Sequence, residues 1–404
     1  MPGTTIGGEE QQPTGSRLTP TNMKLIQKQI INLGLAAALV AGFNGSSTAA
    51  TTDSKEAAPP LVQIAILLDT SNSMDGLIDQ ARSQLWKIVN EFLNAKQNGR
   101  RPELQVALYE YGNNGLRPDT GWIRQVLPLT TDLDKVSEEL FKLKTNGGQE
   151  YCGWVIKEAV EKLAWSTTPN VYRAVFIAGN EPFTQGPIPY ADSCKAAITK
   201  GIVVNTIHCG TEDEGVSGKW QDGALLADGK FMFIDQNRAV VHFEAPQDKE
   251  IAQLGLELNK TYLAYGRAGR ESQLRQAAQD ANAMSFAPSG AVVQRALAKS
   301  SFNYKNDEWD LVDAYRSNGG KLADVKREEL PAEMRKMSES ERKAFVEQKA
   351  AERAKLQAKI QALNDARNKY VAQQLQKQTA TNTLDTVVIT TVREQAQRKN
   401  YRFE

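Results

Sequence analysis

Histidine and cysteine are scarce in this chain of 404 residues, which has two of the first and three of the second. No C-x-x-C pair occurs, which argues against a zinc ribbon or a thioredoxin-type redox site. With so few histidines, any general base would have to be a carboxylate. A G-x-S-x-G elbow, an H-E-x-x-H pair, a Walker loop and a G-x-G-x-x-G turn are all missing, so the common hydrolase and nucleotide-binding signatures are absent. Neither sign of charge dominates: 49 basic residues face 48 acidic ones, for a net charge of +1. That balance speaks against nucleic acid or an acidic membrane surface as the main partner. No apolar run reaches the roughly 20 residues a membrane-spanning helix needs.

What is present begins with an address. Residues 1–22 form a polar leader rich in Gly and Pro. From Met23 to Ala49, Lys24 and Lys28 precede the apolar stretch Ile30 to Phe43, and Ser47-Thr48-Ala49 supplies small residues for cleavage. This is the layout of a signal peptide. It implies an exported product, periplasmic or secreted, without stable membrane insertion after cleavage. Residues 50–60 read as a linker.

From residue 61 to 265, strands and helices alternate. Leu61 to Leu68 is apolar almost throughout and bounded by Pro59-Pro60 and Asp69, as a strand buried on both faces requires. Leu77, Ile78, Ala81, Leu85, Ile88, Val89 and Phe92 recur at helical spacing. Further units follow through Tyr172 to Ala178, Tyr190 to Lys200, Ile202 to His208 and Lys230 to Ile234. The expected fold class is α/β, a doubly wound, mainly parallel sheet. Residues 266–404 read as a separate, mostly helical C-terminal region, with one strand-like run at Thr386 to Val392. Leu356, Ile360, Leu363 and Tyr370 sit at coiled-coil-like steps, a seam suited to a helical hairpin on its own chain.

The chemistry gathers where the first strand ends, at Asp69-Thr70-Ser71-Asn72-Ser73. In an open α/β sheet, ligands bind outside the carboxyl ends of the strands. Residues two apart in an extended loop point the same way, so Asp69, Ser71 and Ser73 converge. One carboxylate and two hydroxyls are hard oxygen ligands for Mg²⁺, Mn²⁺ or Ca²⁺. The same residue types also cap helices well.

This D-x-S-x-S after a buried strand resembles the metal-ion-dependent adhesion site of the von Willebrand factor type A (VWA) family. Supporting features are Gly147-Gly148 before a helix, the strand ending Ala178-Gly179-Asn180-Glu181, and Trp220 with Ala227 before Gly229 and Phe231. The resemblance implies a divalent cation that engages a protein or cell-surface ligand, normally through an acidic side chain, without catalysis. Two departures stand out. The family's Thr after the glycine pair is replaced by Gln149-Glu150, and its Asp after the fourth strand by Asn180-Glu181. Glu150, Asn180 and Glu181 still offer oxygen, but the added charge favours Ca²⁺ or tighter Mg²⁺ holding and weakens the pull on an acidic partner.

Cys194 opens a helix and Cys209 ends a strand on the same sheet edge, so a disulfide between them competes with buried thiols; Cys152 lies on that edge too. Glu212-Asp213-Glu214 reads as a solvated acidic loop. His208 and His242 suit packing better than catalysis. The rival functions are a metal-free scaffold acting through its helical C-terminus and a metal-assisted phosphoesterase using Asp69, Glu150 and Glu181.

Overall fold

The computed structural model describes residues 59–92, 95–235, 242–322, 325–375 and 384–403. The leader, the signal peptide and most of the linker lie outside the described residues. In chain order the elements are β1 (Leu61–Asp69), α1 (Asp75–Glu91), β2 (Ala95–Gln97), β3 (Glu103–Tyr111), β4 (Ile123–Thr130), α2 (Leu133–Lys142), α3 (Cys152–Lys162) and β5 (Tyr172–Gly179). Then follow α4 (Tyr190–Thr199), β6 (Val203–Cys209), α5 (Glu212–Ser217), α6 (Trp220–Leu225), β7 (Phe231–Ile234), α7 (Asp248–Asn259) and α8 (Gly266–Ser285). The chain closes with α9 (Ala291–Lys299), α10 (Leu311–Ser317), α11 (Glu339–Leu375), α12 (Leu384–Gln397) and β8 (Tyr401–Phe403).

Six strands form the main sheet in the order β4-β3-β1-β5-β6-β7. All neighbours run parallel except the edge strand β4, which pairs antiparallel to β3. With β2 set aside, the order is the doubly wound 3-2-1-4-5-6 arrangement, and the crevice at its switch point opens beside the ends of β1 and β5. The apolar run of β1 follows from burial on both faces: Val62, Ile64 and Leu68 face the core under α1 and α2, while Ala65 and Leu67 face the core under α3 and α4. No described helix is long and apolar enough to cross a membrane.

The C-terminal region is not separate from the sheet. Arg295 of α9 is buried, pairs with Asp134 of α2 and with Asp280 of α8, and lies 4.5 Å over the Trp86 ring of α1. Such a desolvated cation–ring contact is worth about 2 kcal/mol. On α11, Val346, Arg353, Ile360 and Arg367 are buried at seven-residue steps. Ile360 packs with α7 and α9, so this seam is used within the chain. Arg353 reaches Asp310 at 2.7 Å and Asp313 at 2.8 Å.

The run Thr386 to Val392 is part of α12, not a strand. Its β-branched residues favour a strand locally, but Val388, Val392 and Ala396 fall at helical spacing and share one core with Leu68, Leu85 and Phe176. Tertiary burial outweighs a propensity difference of well under ~1 kcal/mol per residue. β8 then pairs antiparallel with β2, so residues 384–403 belong to the sheet body although they come last in the chain.

Candidate metal centre

Four loops meet at the carboxyl ends of β1, β3 and β5. The first leaves β1 at Asp69, whose Oδ1 accepts from the Ser71 amide at 2.7 Å. Thr70 ties it to its neighbours: its amide donates to Tyr111 O at 2.9 Å and its carbonyl accepts from the Asn146 amide at 2.9 Å. The Asn72 side chain accepts from the Gly147 amide at 2.7 Å. Glycine is required at 148, because a Cβ there would stand 2.4 Å from the Gly112 carbonyl oxygen. That close approach carries Glu150 inward. Gln185, from the loop after β5, accepts from the Glu150 amide at 2.5 Å and joins the fourth loop to the rest.

The result is a buried carboxyl pair. Asp69 is 0% exposed, and Ser71 and Glu150 are 4% exposed each. The two carboxyls face each other with the Ser71 hydroxyl beside them. Asp69 Oδ2, Ser71 Oγ, Glu150 Oε2 and Asn180 Oδ1 are all buried without a formed hydrogen bond. Burial pushes both carboxyls above their ordinary range; each also feels the charge of Glu181, and Asp69 raises Glu150 further. Two facing carboxyls cannot both ionise in such a place unless positive charge sits between them. A proton or a cation satisfies the pair, and four orphaned hard oxygens suit a cation of the Mg²⁺ or Ca²⁺ type.

Asp69, Ser71 and Glu150 are thus brought together. Asn180 and Glu181 border them: a Cβ on the preceding Gly179 would lie 3.1 Å from Asp69 Oδ2. Ser73 is exposed, farther along the first loop. Among the described residues no group of three or more His, Cys, Asp or Glu converges, so Glu181 does not join Asp69 and Glu150 as a third carboxylate in one cluster. Tyr111, Gly112 and Gln185 had no signal of their own in the sequence. Tyr111 donates to Ala178 O at 2.9 Å and so locks the ends of β3 and β5 together.

Of the two alternatives for Cys194 and Cys209, a bridge or buried thiols, the structure has the thiols. All three cysteines are free and buried. Cys194 packs in the core on one face of the sheet and Cys209 in the core on the other, so the sheet itself keeps them apart. Glu212, Asp213 and Glu214 are no loop: they form the first turn of α5, where Thr211 and Glu214 make a capping box. His208 is buried between the Trp220 ring and α5, and burial lowers its basicity. His242 contacts Asp248 at 2.9 Å.

No family model matches this chain, and no curated relative does. Solved structures do match. BatB from Bacteroides thetaiotaomicron is 20% identical over 43% of this chain and 90% of its own, with a TM-score of 0.33. A von Willebrand factor type A protein from Catenulispora acidiphila is 16% identical over 44% of this chain and 39% of its own, at 0.33. Proximal thread matrix protein 1 of the mussel byssus, solved with a zinc-occupied MIDAS motif, is 14% identical over 45% and 43%, at 0.35. The strand order decides the fold class. It is a doubly wound α/β sheet with a helical C-terminal region.

Proposed function

We propose that this chain is a VWA-type binding module in which Asp69, Ser71 and Glu150, bordered by Asn180, hold one divalent cation, and that a partner binds by completing the cation's oxygen shell. The observation that carries this reading is the set of four buried oxygens without a hydrogen-bond partner, two of them on facing carboxyls, at the switch point of the sheet. A buried polar atom left unmade costs about 1–3 kcal/mol, more when charged, so such a cluster calls for an occupant. When bound, the cation supplies open coordination positions that oxygen atoms of a ligand can fill. The protein's part is to fix its own oxygens in place and exclude water from their far side. Ser73, exposed on the first loop, and Glu181, beside Asn180, are the further oxygens the reading would draw on. Export through residues 23–49 places the module outside the cytoplasm, which a secretion assay with that segment fused to a reporter checks.

Isothermal titration of Mg²⁺, Mn²⁺ and Ca²⁺ into the full chain tests the reading. Binding of at least one ion, lost in Asp69→Ala and weakened at least tenfold in Ser71→Ala, is the expected result. Absence of binding for all three ions would leave a shared proton as the occupant of the carboxyl pair and end the metal reading. Turnover of a generic phosphoester that disappears in Asp69→Ala would favour an enzyme instead.

A further inference from the structure

The partner's chemistry can be read from the wall of the site, an inference that rests on the cation-dependent reading above. Tyr151 directly follows Glu150. Its ring stands edge-on to Trp122 at 5.4 Å and stacks with Trp154 at 6.2 Å. All three residues are partly exposed. Neither sheet core includes any of them, although Trp165 and Tyr190 are drawn into one. Two glycines of left-handed φ make room for the rings: a Cβ on Gly186 would lie 2.5 Å from Tyr151, and one on Gly121 would lie 2.7 Å from Trp154. Trp122 itself has φ +51°, a conformation that a bulky residue seldom adopts. Its carbonyl accepts from the Gly112 amide at 3.1 Å, and a Cβ on Gly112 would meet Glu150 Cγ at 2.9 Å. The aromatic shelf is therefore laced to the residue that abuts the carboxyl pair.

Charge then narrows the ligand. Asp69 and Glu150 together neutralise a dication, and Glu181 adds negative charge close enough to be felt by both. The pull of the cation on an acidic side chain is correspondingly weakened. A shell of about six to eight oxygens around Ca²⁺ still has positions that four protein oxygens leave open. Neutral hydroxyls fit them. A ligand that offers adjacent hydroxyls on one edge and a flat C–H face beside it, for aromatic rings to cover, is a sugar ring. We propose that the module binds a neutral saccharide, with hydroxyls toward the Asp69–Glu150 cation site and a pyranose face on the Trp122–Tyr151–Trp154 shelf.

The test titrates the full chain in CaCl₂ with methyl α-mannopyranoside, methyl β-galactopyranoside and chitotetraose, reading tryptophan fluorescence, with calorimetric Ca²⁺ binding measured in parallel. Binding of at least one sugar, abolished by EDTA and weakened at least tenfold in Trp122→Asn, is expected; Asn tolerates the left-handed backbone. Trp122→Phe, which keeps a ring, should stay within a few-fold of wild type. Both variants should keep the cooperative thermal unfolding of the wild type, which shows that they fold. Ca²⁺ binding without binding of any of the three sugars overturns this proposal and leaves the cation reading standing. Sugar binding that survives EDTA or Trp122→Asn overturns it too, as does calcium-dependent binding of a polyglutamate peptide in place of sugar. Failure of Ca²⁺ itself to bind removes both readings together.

Discussion

Gln395 and Asn205 exchange two hydrogen bonds across 190 residues of sequence: Gln395 Nε2 donates to Asn205 Oδ1 at 2.7 Å, and Asn205 Nδ2 donates to Gln395 Oε1 at 3.1 Å. Asn205 is 0% exposed, and Tyr172 donates to the same Gln395 oxygen at 2.9 Å. The last helix is therefore a structural part of the sheet. Gln395→Ala leaves Asn205 Nδ2 and the Tyr172 hydroxyl buried and unmet, while Asn205 Oδ1 keeps the Lys230 amide at 3.0 Å, and is expected to destabilise by about 2–4 kcal/mol. Urea unfolding measures this. Residues 61–265 expressed alone should not unfold cooperatively, because the surface covered by Val388, Val392 and Ala396 lies bare; a cooperative, native-like transition in that fragment would contradict the assignment.

Gly148→Ala is expected to cost at least tenfold in cation affinity. Its Cβ must push the Gly112 carbonyl away, and Gly112 abuts both Asp69 and Glu150. Calorimetry on the variant decides it; wild-type affinity would show that the loop approach does not position the carboxyls.

Lys299 gives a pH signature. It is 1% exposed, and burial outweighs the pull of Asp280 to bring its basicity down to about 8. An unfolded lysine titrates near ~10.4. Between those values the unfolded chain holds a proton that the folded one has released, so this group makes stability rise with pH. From pH 8 to 9.5 the gain is of the order of 1–2 kcal/mol. Urea midpoints of wild type and Lys299→Met across that range should diverge, with the rise missing in the variant. Parallel slopes would remove Lys299 as its source.

Arg353→Ala is expected to destabilise by about 3–5 kcal/mol, since Asp310, 0% exposed, would lose its buried partner. Arg353→Ala combined with Asp310→Asn should recover part of that loss, because the fully buried charge is then gone and only the Asp313 carboxylate, which is part-exposed, is left without its partner. Chemical denaturation of the two variants compares them. Equal stability would mean that the guanidinium acts by packing on the Tyr262 ring, 3.9 Å away, and not by charge.

Alternation of apolar strands with amphipathic helices was enough to read a doubly wound sheet and to place Asp69 and Ser71 at its carboxyl edge, because strand burial and helix faces are local in sequence. Glu150 was legible as an oxygen donor to the same site as Asp69 but not as the carboxyl that faces it. Their pairing needs Gly148 to slip against Gly112, a contact between loops that no spacing encodes. The aromatic shelf was invisible for the same reason: Trp122 and Tyr151 come from different loops. Cys194 and Cys209 show the limit of edge arguments, since sharing an edge says nothing about which face of the sheet each side chain takes. Thr386 to Val392 shows the limit of propensity. Its residues prefer a strand by fractions of a kcal/mol, and only the groove beside α1, built from parts of the chain some 300 residues earlier, makes burying one helical face of them worth more.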